Sequence, residues 1–278
     1  IPFHITDSAA CGAALLPPPL PHGIRPGSAQ AGSPNQHILP LTAAVTPAGD
    51  LAVGGCSVPA LARARGTPLY ILDEFTARHA CRLFADSLRA AYPGPTRVLY
   101  ASKAWCCVAL CRLVSSEGAG VDVSSGGELH TALLARVPPA HIFFHGNNKT
   151  RREIEEAVFC GCVLVVDNWH ELRLLADVVS GRAPPAPPTP FLVRVAPGIE
   201  CHTHEYIRTG HLSCKFGFLP DDLPRLLDHV RQLTAPGALD FVGFHAHIGS
   251  QIFALQPHAD LARTMVSWLV ASRAHGLR

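Results

Sequence analysis

Charge is scarce in this chain. Asp, Glu, Lys and Arg make up 16% of its 278 residues, against ~25% in a typical soluble domain. The few charges nearly cancel, 23 Lys and Arg against 21 Asp and Glu, leaving +2. That balance argues against a nucleic-acid partner or an anionic membrane surface, which select a basic face. Long apolar runs are missing too. The longest, 157–166, falls well short of the ~20 residues that cross a bilayer, and it reads as a buried strand with its lead-in. No Walker A loop and no nucleophile elbow is present, and Gly126-Gly127 reads as a helix start, not a dinucleotide fingerprint.

The 10 cysteines are irregularly spaced and include the adjacent pair Cys106-Cys107. A disulfide scaffold is a shorter chain with denser cysteine, so free, mostly buried thiols in a reducing compartment are expected. Cys201-His202-Thr203-His204 with Cys214 lacks the paired spacing of a zinc site, and no metal is expected. Cys160-Gly161-Cys162 is not a redox spacing and leads into a strand, so it reads as core.

Residues 1–36 are rich in Pro, Gly, Ala and Ser, with almost no acid. They read as a disordered leader or linker; acid-poor composition also suits a transit peptide, though Arg is sparse. From residue 68 a regular alternation sets in. Short apolar strands are expected at 68–72, 98–101, 120–123, 142–144, 163–166, 191–195 and 241–245. Helices are expected at 75–92, 105–115, 127–135, 151–159, 170–179, 220–233 and 259–275. Strands that are apolar throughout and separated by helices are parallel strands buried on both faces, the βαβ pattern of an α/β fold. From residue 98 there are six such units. A (β/α)₈ barrel needs eight, so the chain is expected to stop before a barrel closes.

In such barrels the active site lies at the carboxyl ends of the strands. There the sequence places Ala101-Ser102-Lys103, Asp122 with Ser124 to Glu128, His145 to Lys149, Asp167-Asn168, Arg194, and His245, His247, Gly249 and Ser250. One polar group after another, in a chain so poor in charge, points to an enzyme. Lys103 at a strand end is either a desolvated, nucleophilic amine suited to Schiff-base chemistry or a lysine reaching to solvent. His247, beside Gly249-Ser250, is either a ring that stacks on a planar cofactor or one more rim histidine among the chain's 16. Arg194, inside an apolar strand, requires an anionic partner. Asp122, read as coming from the neighbouring strand, raises the same question, and the two either satisfy each other or nearby residues, or face a ligand.

Several segments together resemble the diaminopimelate decarboxylases, in the form found in cyanobacteria and plastid-bearing organisms. They are Tyr-Ala-Ser-Lys-Ala (100–104), Val-Asp-Val-Ser-Ser-Gly-Gly-Glu-Leu (121–129), His-Gly-Asn-Asn-Lys (145–149), 197–212 with Lys215-Phe216-Gly217-Phe218, and Gly-Phe-His-Ala-His-Ile-Gly-Ser-Gln (243–251). The likeness runs from about residue 36 to the end. Ser213-Cys214 departs from the family's Asp-Ser at that point.

The resemblance implies a pyridoxal-phosphate-binding (β/α)₈ barrel of the alanine racemase/ornithine decarboxylase type. About six of its eight strands fall within this chain, and the C-terminal β-domain has no counterpart. It implies a lead-in at 37–72 that pairs in part with that β-domain, and a partial barrel over 73–278. It implies pyridoxal 5'-phosphate as cofactor and decarboxylation of meso-2,6-diaminopimelate to L-lysine, with an ornithine/arginine-type decarboxylase or a non-catalytic cofactor-binding relative as alternatives. The implied roles are Lys103 as the lysine that carries the cofactor, His247 stacked on its ring, Ser250 on its phosphate, Arg194 near its ring oxygen, and Asp122 and Ala101 lining the pocket. It also implies a homodimer in the full-length form, and a location in the bacterial cytoplasm or the plastid stroma. A chain holding six of eight strands is expected to show little activity alone.

Overall fold

The computed structural model describes residues 38–182, 186–199, 215–250 and 252–277. The leader at 1–36, the Cys201 to His204 cluster, Cys214 and Gln251 therefore lie outside the described residues. The chain divides into two compact units, Ile1–Thr96 and Arg97–Arg278.

The first unit holds a small antiparallel sheet of β1 (Ala44–Val45), β2 (Leu51–Val53) and β3 (Cys56–Ser57), followed by α1 (Val58–Arg65) and α2 (Glu74–Ala91). Ser57 caps α1 by accepting from the Ala60 N–H, and Pro59 stands in its first turn, where a missing N–H costs nothing. Asp73 caps α2 through the Thr76 N–H, and the Thr76 hydroxyl in turn accepts from the Leu41 N–H at 2.9 Å. The strand expected at 68–72 is absent, and Tyr70 within it is 97% exposed. Among the described residues no sheet edge pairs with this segment. An apolar run becomes a strand only when its backbone groups find partners, and Pro68 has no N–H to offer.

The second unit is a six-stranded parallel sheet in sequence order: β4 (Leu99–Ala101), β5 (Gly120–Val123), β6 (Ile142–Phe144), β7 (Val163–Val166), β8 (Thr189–Arg194) and β9 (Leu239–His245). Helices α3 (Val108–Ser116), α4 (Gly126–Leu134), α5 (Arg151–Cys160), α6 (Trp169–Ser180), α7 (Leu223–Thr234) and α8 (Gln256–Ala274) follow β4 to β9 in turn. This is the progression of a (β/α) barrel, here open after six strands. All four residues of β7 are buried, as parallel strands covered on both faces should be.

The core packs Phe144, Phe191, Ile142 and Leu164 of the strands against Leu129, Ile154, Leu172, Leu175, Leu226 and Leu227 of the helices. Each such side chain contributes ~1.5–3 kcal/mol by leaving water. Polar N-caps aim the helices. Ser125, Thr150 and Asn168 each accept from the N–H three residues on, and Thr150 with Glu153 forms a reciprocal capping box. Gly120 admits the close approach of β5 to its neighbours, because a Cβ there would sit 2.5 Å from the His141 carbonyl oxygen.

The helix expected at 105–115 starts later, at Val108, because a 3₁₀ turn (Ser102–Ala104) intervenes after β4. The thiols also differ from expectation. Of the seven described cysteines only Cys111 and Cys162 are buried; Cys56, Cys81, Cys106, Cys107 and Cys160 are half-buried. Burial pushes the thiols of Cys111 and Cys162 up to about 12, so neither supplies a thiolate near neutral pH.

Candidate active site

The register of the sheet assembles the polar groups. Ala101 pairs with Asp122, Val166 with Val193, and Arg194 with His245. The residues at the strand ends therefore form one row across β4 to β9. Lys103 rises from the 3₁₀ turn after β4. His247 follows β9, half-buried. Burial holds its imidazole below its ordinary pKa, and the positive charges of Lys103 and Arg194 and the nearby His145 add to that, against the pull of Asp122. The same electrostatic neighbourhood thus contains Lys103, Asp122, Arg194 and His247, four residues the sequence singled out. Ala101 lines the row beside Asp122, half-buried. Ser250 stands exposed after Gly249, whose φ is +128°.

Lys103 is exposed, as in the second of the two readings its position allowed. One expectation is corrected. Asp122 and Arg194 do not come from neighbouring strands: β6 and β7 separate β5 from β8. Arg194 faces Asp167, Nη1 to Oδ1 at 3.6 Å, while Asp122 Oδ1 lies 3.0 Å from His145 Nε2. Those last two atoms are close but not aligned as a hydrogen bond. His145 also meets His245 edge-on, with ring centroids 4.7 Å apart. Burial, with His145, Arg194 and His247 nearby, pulls the His245 imidazole down to about 2, so it stays neutral.

One pattern runs through the whole row. Among the described residues, the buried side-chain atoms without a hydrogen-bond partner are Ser102 Oγ, Asp122 Oδ1, His145 Nε2, Asp167 Oδ1 and His245 Nδ1. They lie in or just after five different strands, each at or next to the carboxyl end. Buried polar atoms are nearly always paired, and leaving one unpaired costs ~1–3 kcal/mol. Five at one rim describe a surface shaped for a polar ligand. The residues present fit pyridoxal phosphate: an accessible amine, a neutral flat imidazole, a guanidinium, a carboxylate, and a glycine-serine turn.

Ser102, His145, Asp167 and His245 were visible in the sequence only as strand-end residues. The buried pair Lys149 and Glu171 was not foreseen. Lys149 Nζ lies 2.6 Å from Glu171 Oε1. Burial draws the lysine below its usual value and pushes the glutamate above its own, each opposed by the partner's charge. A usable signal existed, since Glu171 sits one turn into α6 beside Leu172 and Leu175, on the face that is buried.

Among the described residues no group of three or more His, Cys, Asp and Glu side chains is placed to hold a metal ion. No described helix is long and apolar enough to cross a membrane.

A parallel (β/α) sheet with its polar groups gathered at the strands' carboxyl ends defines a barrel-type enzyme fold. Within that class the chain belongs to the pyridoxal-dependent decarboxylases, whose pyridoxal-binding domain matches residues 78–278. The fold is the alanine racemase/ornithine decarboxylase type, and the family's cofactor is pyridoxal 5'-phosphate. The chain is similar to the diaminopimelate decarboxylase of Synechocystis sp., 47% identical over 253 residues, covering 88% of this chain and 53% of that one. With the Bacillus subtilis diaminopimelate decarboxylase it shares 41% over 211 residues, 74% of this chain and 46% of that one. The crystal structure of the M. jannaschii diaminopimelate decarboxylase in complex with L-lysine superposes with a TM-score of 0.74 at 28% identity, covering 85% of this chain and 54% of that one. The chain thus spans about half the length of the curated relatives it matches.

Proposed function

We propose that this chain carries the cofactor-binding part of a decarboxylase that converts meso-2,6-diaminopimelate to L-lysine and CO₂. The observation that carries the reading is the rim of unpartnered buried polar atoms at the strand ends around Lys103 and His247. The substrate comes from the relatives, which are diaminopimelate decarboxylases along most of this chain.

In this reading Lys103 holds pyridoxal phosphate covalently through its Nζ. His247, kept neutral by burial and by the cations beside it, offers its flat face to the ring without adding charge. Ser250 and the Gly249 backbone take the phosphate. Arg194 and Asp122 set the charge around the ring, and Ala101 keeps the wall beside Lys103 thin. When bound, the cofactor supplies an electron sink that lets a carboxylate leave as CO₂. The protein supplies orientation and fixed charge. The domain reading follows the same resemblance, with 73–278 as barrel, 37–72 as lead-in and 1–36 as leader. So do a homodimeric full-length form and a cytoplasmic or stromal location.

The test is a titration with pyridoxal phosphate, followed by CO₂ release from meso-diaminopimelate, ornithine and arginine by the full-length enzyme. Saturable visible absorbance that is lost in Lys103→Ala, with turnover of diaminopimelate alone, is the expected result. Cofactor binding unchanged in Lys103→Ala would overturn the site. Preferential turnover of ornithine or arginine would overturn the substrate.

A further inference from the structure

The Asp167 carboxylate, on the rim, touches both a backbone loop and another charged side chain. Asp167 directly follows β7 and is 1% exposed. We infer that Asp167 is a positioning residue that sets the Arg194 guanidinium at the strand ends, and that the Lys149–Glu171 pair holds Asp167 in place. The inference rests on the reading of the rim as the cofactor site.

The support begins beneath the rim. Lys149 Nζ donates to the Gly146 carbonyl at 2.8 Å, to the Val165 carbonyl at 2.8 Å and to Glu171 Oε1 at 2.6 Å. An ammonium has three protons, so none is left for a ligand. Both oxygens of Glu171 are likewise taken, because Oε2 accepts from the Asp167 N–H at 3.0 Å. These two residues therefore tie the loop after β6, strand β7 and helix α6 together, and they fix the backbone from which Asp167 projects.

The carboxylate then reaches in two directions. Oδ2 accepts from the Gly217 N–H at 3.1 Å. Gly217 has φ +82°, and a Cβ there would press within 3.1 Å of the Arg194 carbonyl oxygen and the Ala196 nitrogen. The 215–218 loop thus lies directly against the end of β8, where the Phe218 N–H donates to the Arg194 carbonyl at 2.9 Å. Oδ1 faces Arg194 Nη1 at 3.6 Å, beyond hydrogen-bond length, so the hold on that nitrogen is electrostatic. The guanidinium also packs over the Phe216 ring, 4.4 Å from its centroid. One carboxylate therefore anchors both the loop that carries Phe216 and the charge that rests on it. The register supplies the adjacency: Val166 pairs with Val193, which sets the next residues, Asp167 and Arg194, side by side.

The test is a double-mutant cycle read by the dissociation constant of pyridoxal phosphate and by the visible circular dichroism of the bound cofactor. Asp167→Asn keeps the shape and the acceptor for Gly217 while removing the charge. We expect it to weaken cofactor binding about tenfold, and Arg194→Gln to do the same. The double variant should bind no more weakly than Arg194→Gln alone, the non-additivity of residues acting as a unit. A double variant whose loss is the product of the two single losses would overturn the inference, since a merely structural Asp167 acts whether or not Arg194 is present. Asp167→Asn binding like wild type beside a weakened Arg194→Gln would overturn it as well. Should Asp167→Asn not fold, Phe216→Leu replaces it, with an expected loss of about threefold that disappears in the Arg194→Gln background; persistence of that loss contradicts the inference. If Lys103→Ala and Arg194→Gln both bind the cofactor like wild type, the reading of the rim fails and takes the inference with it. Failure confined to the Asp167 variants leaves that reading standing.

Discussion

Two groups of buried polar atoms lie within a few residues of each other in the second unit, and they are treated in opposite ways. Around Lys149 and Glu171 the hydrogen-bonding capacity of the ammonium and the carboxylate is used internally, by three elements of the fold. Along the rim, five buried atoms at five strand ends have no hydrogen-bond partner among the described residues, although Asp122 lies close to His145 and Asp167 faces Arg194. The first group is what a fold does with charges it must bury: it pairs them fully, since a half-satisfied network is worse than none. The second, in the reading proposed above, is what a fold does where something else is to bind, leaving buried polar atoms without hydrogen bonds of their own. Proximity to the site is thus a poor guide to role. Lys149 is buried at the strand ends and is spent on structure, whereas Lys103 is exposed there and is available for chemistry.

The comparison can be broken most severely at Lys149. Lys149→Met leaves Glu171 buried beside an apolar group, and chemical denaturation should show a loss of ~3–5 kcal/mol, as when one partner of a buried pair is removed. The double variant Lys149→Met with Glu171→Leu should recover most of it, because neither charge then remains. A single variant as stable as wild type would mean that the pair is not the fixed structural element described.

Acid is a milder lever, and it acts on the rim. His245 is neutral in the fold down to about pH 2, while an unfolded histidine takes up a proton near its ordinary value of ~6.5. The folded pKa is depressed, so this contribution is intact above ~6.5 and is lost as pH falls below it, because only the unfolded chain gains the proton. Between pH 7.5 and pH 5 the loss should approach ~2 kcal/mol, and Phe at position 245 should flatten that part of the stability profile. A profile equally steep in His245→Phe would assign the slope to other groups.

The smallest effect sharpens the contrast. Ser102 is buried, and its hydroxyl has no hydrogen-bond partner among the described residues. Ser102→Ala should not destabilise the cofactor-free protein and should stabilise it by ~1 kcal/mol, since a buried unpaired hydroxyl is removed and no hydrogen bond is lost. A loss of ~1 kcal/mol or more would show that the hydroxyl is already paired within the fold.

The parallel sheet was legible in the sequence because its strands are short, apolar and set between helical periods; 120–123, 142–144 and 163–166 coincide with β5, β6 and β7. The small sheet of the first unit was not, because strands of two or three residues carry no period to read. The apolar run at 68–72 misled for the opposite reason: it has the composition of a strand, but composition does not supply a partner edge. At the site, Lys103, Asp122, Arg194 and His247 stood out as chemistry-bearing residues near strand ends. Their pairing did not. The sequence left open whether Asp122 and Arg194 meet each other or nearby residues; strand order places β6 and β7 between them and sets Arg194 against Asp167. Register is a property of the folded sheet, and a single sequence does not state it.

The central claim is that the rim is unpaired because it awaits pyridoxal phosphate, and it is tested most directly by thermal and chemical unfolding of the protein with and without that cofactor. At about a hundred times its dissociation constant the cofactor should add ~2.7 kcal/mol of stability. That gain should shrink in Ser102→Ala and His245→Phe while their cofactor-free stabilities at neutral pH do not fall. A gain that is absent in the wild type, or equally large in every rim variant, would contradict the account.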